Sequence, residues 1–371
     1  MAHQKTSRSS HCFTFAFALF IGLFVATAGG IAQTSSAPTF SGQARVVQAT
    51  VPPLSPITVS DTGPLPSSGG AQEASLLDVP AVSLGNVGAL NGADVAHAAT
   101  IGQGNASRSQ ASVADVSLTV AGNTIAADFL MSEATAQCNG ASPSASGGSD
   151  LANVVINGQR ITISGATNQT IQLPANSGSV MINEQSSSVN GQSGGMDVNA
   201  LHVVANNPAP GGAPLADVIV SHVHADVTCP ASPPPTPLCG TGATDFVTGG
   251  GWIVSPHDPN AKAHFAVAGG IKNGPWGHLL FVDHGNGLRV KGTGVSGYDF
   301  YPPFGPNGRQ TVGSADVAGT TESYEADVSD DGEPGGGVDQ FRLLLSKESP
   351  QQVASGYLAG GNIQLHKPDC Q

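Results

Sequence analysis

Charge and aromatic side chains are both scarce in this chain. Only 11% of its 371 residues are Asp, Glu, Lys or Arg and only 5% are Phe, Trp or Tyr, with two tryptophans and four methionines. So little charge argues against charge-driven disorder. Basic residues are the scarcer kind, and the formal net charge is −13, which argues against nucleic acid and anionic lipid as partners. No stretch beyond the first 32 residues carries the period of a long amphipathic helix. Chemistry is sparse too. There is no G-x-S-x-G, and no spacing of Ser, His and Asp selects a triad. The triple glycines at 249–251 and 335–337 have neither a following helix nor a lysine to make a phosphate cradle. The expectation is a protein that is not an enzyme and needs no cofactor, calcium excepted.

Glycine (49) and proline (26) are plentiful instead. Short apolar runs punctuated by Gly, Pro and Asn predict an all-β fold of sandwich or barrel type. "NVVI-NG-QRITI" sets Asn157-Gly158 between alternating runs, a strong hairpin signal. "VSLTV-AGN-TIAADFLM" reads as a second strand pair, and "DVAHAATIGQGNASRSQASVAD" as a third with a loop. "MDVNALHVV" and "ADVIVSHVHADVTC" follow as strands. In the second half, "DFVTGGGWIVS", "AKAHFAVAGGI", "GHLLFVDH-GNG-LRVKGTGVSGY", "YEADV", "QFRLLL" and "GYLAGGNIQLH" repeat the pattern.

The first 32 residues read as a signal peptide or signal anchor. "MAHQKTSRSSHC" is basic, "FTFAFALFIGLFVATA" is apolar, and small residues permit cleavage after Ala28 or Ala32. Removing it takes Lys5 and Arg8 and leaves 26 acidic and 11 basic residues, a net of −15. No second bilayer span follows it. Cys12 precedes the apolar run and is not placed as a lipoprotein cysteine. The body is expected to be secreted or held at the cell surface. Export puts Cys138, Cys229, Cys239 and Cys370 in an oxidising compartment, where pairing within each half, Cys138–Cys229 and Cys239–Cys370, is the simplest of three connectivities. Each bridge would stabilise by roughly 3–5 kcal/mol through the loop it closes.

"CPASPPPTPLCG" is the seam. Its prolines make a stiff spacer over 230–240 that cannot join a sheet, dividing a first β domain (41–229) from a second (241–371). The two are expected to fold independently.

Three groups of residues invite a functional reading. His222, His224 and Asp226 share one face of a strand, with His202 within reach on a neighbour; that set could suit zinc and a metal-dependent hydrolase. Opposite them, Ile219, Ser221, Val223, Ala225, Val227 and Cys229 form the face expected to be buried, which sets the register and leaves the histidines on a polar sheet face. Asp327, Asp330, Asp331, Glu333 and Asp339 crowd oxygen ligands around a turn, as a weakly held calcium ion would require, although their spacing is not that of the twelve-residue calcium loop. Trp252, Trp276 and Tyr298 could stack on a sugar if exposed, but more simply belong to a core.

The first half resembles the exported bacterial module called choice-of-anchor P. The stretches that carry the resemblance are "DTGPLPSSGG" (61–70), "SRSQASVADVSLTVAGNTIAADFLMSEATAQC" (107–138), "VINGQRITISG" (155–165), "INEQSSSVNGQSGGMDVNALHVV" (182–204) and "ADVIVSHVHADVTC" (216–229). The second half resembles the domain that commonly succeeds that module, in "DFVTGGGWI", "GHLLFVDHGNGLRVKGT", "VSDDGEPGGGVDQFRLLLS" and "GGNIQLH". The resemblance implies an exported, often surface-associated bacterial protein, and no catalytic residue comes with it. It also implies that "HADVTC" places the second cysteine of a pair, a structural role for His224 and Asp226. The ending "LHKPDCQ" departs from the family's anchoring signals, so a secreted or N-terminally held protein is expected. Three functions remain in order: a non-catalytic module contacting extracellular matrix, envelope or glycan; a carbohydrate- or ligand-binding module, with or without calcium; and a metal-dependent hydrolase.

Overall fold

The structure is a computed structural model that describes residues 37–209, 211–231, 245–272, 274–346 and 352–367. The first 32 residues, read above as a signal peptide or anchor, most of the 230–240 stretch, Cys239 and Cys370 lie outside the described residues. No helix among the described residues is long and apolar enough to cross a membrane.

Alternation of side chains writes the fold. Strands β1 (Thr39–Thr50) and β2 (Ile57–Asp61) open a first sheet. The chain then builds a second with β3 (Gly70–Val79), β4 (Val82–Ser83), β5 (Gly88–Gln103), β6 (Ala106–Val120), β7 (Asn123–Asn139), β8 (Ser142–Ala152), β9 (Val155–Ile156) and β10 (Gln159–Arg160). It returns to the first sheet with β11 (Gln169–Gln172), β12 (Gly178–Asn190), β13 (Ser193–Ala205) and β14 (Ala216–Thr228). The third sheet holds β15 (Phe246–Val254), β16 (Lys262–Ile271), β17 (Pro275–Asp283), β18 (Leu288–Phe300), β19 (Gly308–Val317), β20 (Thr320–Ser329), β21 (Gln340–Leu345), β22 (Gln352–Tyr357) and β23 (Gly360–His366). The first sheet runs β11-β12-β13-β14-β1-β2, and the core of the second runs β10-β9-β7-β6-β5-β3. Asn157 and Gly158 turn between β9 and β10 with φ of 50° and 76°, as a two-residue hairpin demands, although the strands it joins are only two residues each. The alanine- and serine-rich stretch 94–115 is the β5–β6 pair.

The centre of the second sheet, β5 to β7, is buried on both faces, which its small side chains allow. One face shares an apolar cluster with the first sheet, including Ala96, Ala98, Val113, Val203, Val220 and Val223. Serines tie these layers directly: Ser109 Oγ donates to the His224 carbonyl (2.6 Å), Ser107 to Ser41 (2.7 Å) and Ser132 to Ser221 (2.8 Å). At Gly42 a Cβ would stand 2.4 Å from Thr100 Oγ1, so only glycine permits this approach. The disulfide Cys138–Cys229, with Cα atoms 5.5 Å apart, fastens the end of β7 to the end of β14.

The other face of the second sheet packs on the third. Val95, Ala114, Phe129 and Met131 meet Trp252, Ala266, Leu280 and Val282 in one buried layer. Residues 35–371 accordingly form one compact unit. The third sheet runs β22-β21-β20-β19-β18-β17-β16-β15-β23 and curls into a half-barrel. Phe265 of β16 stacks on Phe341 of β21 at 4.0 Å although four strands separate them in the sheet, so the sheet must fold over its own core. Register shifts in β18, between Gly292/Gly294 and Val295/Gly297, supply local bending.

The face expected to be buried on β14 needs correction. Val223, Ala225 and Val227 are buried, but upstream the buried residues are Ala216, Val218 and Val220, and Ile219 lies on the half-exposed side. Ser221 is the cause. It takes φ of 59°, which turns the alternation over by one residue.

Candidate functional site

Ser221 belongs to a row. Across the first sheet, Ser60, Val46, Ser221, Ala200 and Asn183 stand side by side, and every second one, Ser60, Ser221 and Asn183, has φ between 47° and 59°. The second sheet has its own row, Asp78–Asp94–Asp115–Asp128–Asn153, with φ of 57°, 48° and 52° at Asp78, Asp115 and Asn153. Asp and Asn tolerate this left-handed conformation better than other residues with a Cβ, which accounts for their choice. The kinks place the carboxylates of Asp78, Asp94, Asp115 and Asp128 toward basic side chains of the third sheet and its turns.

The partners all come from the second half of the chain. Asp78 pairs with Arg289, and Lys262 Nζ lies 2.6 Å from Asp128 Oδ2 and 4.0 Å from Asp115 Oδ1. Asp94 Oδ2 accepts from His284 Nε2 at 2.6 Å and from His264 Nδ1 at 3.2 Å. The two imidazoles are 3.3 Å apart, Nδ1 of His264 to Nε2 of His284. On its other edge, His264 Nε2 faces Asp115 Oδ2 at 3.7 Å and makes no hydrogen bond. The His264 ring is fully buried, edge-on to Trp252 at 6.3 Å, and Lys262 lies over the indole at 5.0 Å.

Electrostatics within this row differ from one aspartate to the next. Burial pushes Asp94 upward, but its hydrogen bonds and charge contacts with His264 and His284 outweigh that and hold its pKa below the ordinary carboxylate value. Asp115 goes the other way. Burial raises it, and the neighbouring carboxylates of Asp94 and Asp128 add to burial against the pull of His264 and Lys262. The same seam holds His97 and His278, with ring centroids 4.1 Å apart; His278 Nδ1 reaches Glu73 at 2.7 Å. Neither ring nitrogen of the buried His97 has a hydrogen-bond partner, and burial followed by the His278 charge pushes its pKa well down, so this ring is neutral.

A second feature is an open cleft of about 470 Å³ between β7–β8 and the acidic turn after β20, lined by Glu133, Ser149, Asp150, Ile163, Glu333 and Asn362. Its carboxylates disfavour ionisation. Burial, then the nearby Glu333, Asp150 and Asp330, raise Glu133 to about 7, and burial also raises Asp150 and Glu333.

Set against known protein families, curated proteins and solved structures, the chain matches none. The resemblance to the choice-of-anchor P module therefore stands on the quoted stretches alone.

The residues singled out in the sequence are placed otherwise. His222, His224 and Asp226 do share one face of β14, but each histidine has its own partner on β13: His222 Nδ1 with Asn199 Oδ1 (2.7 Å) and His224 Nδ1 with Asp197 Oδ1 (3.0 Å). His202 is held between Glu184 (2.7 Å) and Asp217 (3.0 Å). Of the five acidic residues, Asp327 lies on β20 and pairs with Arg342. Asp330 Oδ2 accepts from the Leu365 amide (2.8 Å), Asp331 from Ser329 Oγ (2.7 Å), and Glu333 from Asn362 Nδ2 (2.6 Å). Asp339 accepts from the amides of Asp331 (2.8 Å) and Ile363 (2.9 Å). Asp330, Glu333 and Asp339 thereby fix the turn onto β23. Trp252 is only 7% exposed and has no face free for a sugar, because it anchors the layer between the second and third sheets. Trp276 is half-buried against Phe246, and the Tyr298 hydroxyl donates to Asp245 (2.9 Å). Among the described residues, one group of three or more possible metal ligands converges, Asp94, Asp115, His264 and His284, and it contains none of the residues expected from sequence.

Proposed function

We propose that the protein is an exported, non-catalytic structural module of the secreted or cell-surface kind, contacting matrix, envelope or glycan. The observation that carries this reading is where the polar side chains go. The histidines of β13 and β14, the acidic turn and most of the aspartate row serve cross-strand or inter-sheet contacts that lock an all-β, disulfide-fastened body. The resemblance to the choice-of-anchor P module points the same way. Binding to arrayed glycans and matrix proteins, with and without calcium, tests it: retention of the protein by one class of extracellular polymer is expected. Turnover of an ester, lactam or phosphate substrate, abolished in His264→Ala, would instead favour the hydrolase.

The cleft beside Glu133 favours a second reading, a ligand-binding module. A ligand seated there displaces water from poorly ionised carboxylates, so its affinity should depend on pH around 7 and change in Glu133→Gln.

A further inference from the structure

We propose that Asp94, Asp115, His264 and His284 bind one divalent transition-metal ion of the zinc class, joining the two halves of the chain. The site is independent of the adhesion reading. Its four donor atoms lie within 4.8 Å of one another. Donors around a four-coordinate ion with bonds of about 2 Å stand roughly 3.3 Å apart, so closing the site requires shifts of about an ångström. Two imidazoles and two carboxylates suit zinc, cobalt or nickel; calcium and magnesium favour an all-oxygen set.

Three of the donors already stand near the spacing an ion needs. Asp94 Oδ2, His264 Nδ1 and His284 Nε2 form a triangle with sides of 2.6, 3.2 and 3.3 Å, and Asp115 belongs to the same group. The other edge of the fully buried His264 ring, Nε2, makes no hydrogen bond and faces Asp115 Oδ2 at 3.7 Å. An ion on Nδ1 would put the ring's proton on Nε2, turned toward the Asp115 carboxylate, and would balance the Asp94 and Asp115 charges. Lys262 stays with Asp128, whose charge it already balances. Trp252 packs against His264, and the half-buried Asp94 and Asp115 are held by the kinked row, so the ligands are positioned before an ion arrives. His284, exposed at the mouth, gives the ion a way in.

The competing occupant is a proton, which would make His264 an imidazolium bridging Asp94 and Asp115. Titrating the chelator-stripped protein with Co²⁺ separates the two, because four-coordinate cobalt absorbs visibly. One ion per chain is expected, with a visible band that Zn²⁺ displaces and a melting temperature that rises with metal concentration. His284→Ala and Asp115→Asn should each weaken binding at least tenfold, while His222→Ala leaves it unchanged. His284 is exposed and tests the site even where Asp115→Asn fails to fold. Absence of saturable binding at one equivalent, or binding that survives His284→Ala, would overturn the proposal and leave the imidazolium.

Discussion

Glu133 shows how one side chain can couple the molecule to pH. It is half-buried with Oε2 enclosed, and burial followed by Glu333, Asp150 and Asp330 raises its pKa to about 7. Below about pH 4.5 the carboxyl is protonated in both folded and unfolded chains and has no effect on stability. Between there and 7 the unfolded chain ionises while the folded one keeps its proton, so this group lowers stability as pH rises, and the loss levels off above 7. Glu133→Gln should therefore raise the melting temperature by a few degrees at pH 8 and hardly at all at pH 4. An equal gain at both pH values would trace the effect to packing. Little of this was legible in the sequence. Glu133 lies in "FLMSEATAQC" as one polar residue of an alternating strand, and its neighbours Asp150 and Glu333 come from β8 and a distant turn.

The all-β architecture is legible from alternation and turn residues, because burying one face fixes which residues alternate. The kinked rows are not. The aspartates stand in tripeptides, "LDV" at 77–79, "ADV" at 93–95 and 114–116, "ADF" at 127–129 and "ANV" at 152–154, which could have drawn attention as one per strand. The same "ADV" occurs at 216–218, 225–227, 315–317 and 326–328 with no left-handed residue at its aspartate, so the tripeptide alone does not announce one. His264 and His284 are not legible as partners of these aspartates, which stand some 150 to 190 positions earlier in the chain, beyond any spacing argument. Ser221 tests the row as an element. Ser221→Val loses the hydroxyl's bonds to Ser132 and the Ala111 carbonyl and forces a β-branched residue to a φ of 59°. The expected destabilisation is about 3–5 kcal/mol. Ser221→Gly keeps the backbone at ease and should lose distinctly less. Urea unfolding of the pair decides it, and equal losses would mean that the hydrogen bonds alone matter.

At the scale of the molecule, the two halves meet through an apolar layer and a seam whose acids come from the first half and whose bases come from the second. Composition could not say that Trp252, Leu280 and Val282 would be buried against Phe129 and Met131. Each such side chain contributes roughly 1.5–3 kcal/mol when fully buried. The second half, residues 245–371, should therefore unfold at lower urea when expressed alone than within the intact chain. Both tryptophans lie in that half, so their emission reports on it in either setting. Coincident midpoints would show that the halves fold independently.

The left-handed rows have a further consequence for how the protein behaves in a crowd. Ser60 lies on β2, at one edge of the first sheet, and Asp78 on β3, at one edge of the second. A straight strand from another molecule could pair with either edge only up to the kink, where the ladder would fall out of step. The feature that aims the aspartates inward thus shortens the templates on which chains could stack, and favours a body that stays dispersed at high concentration.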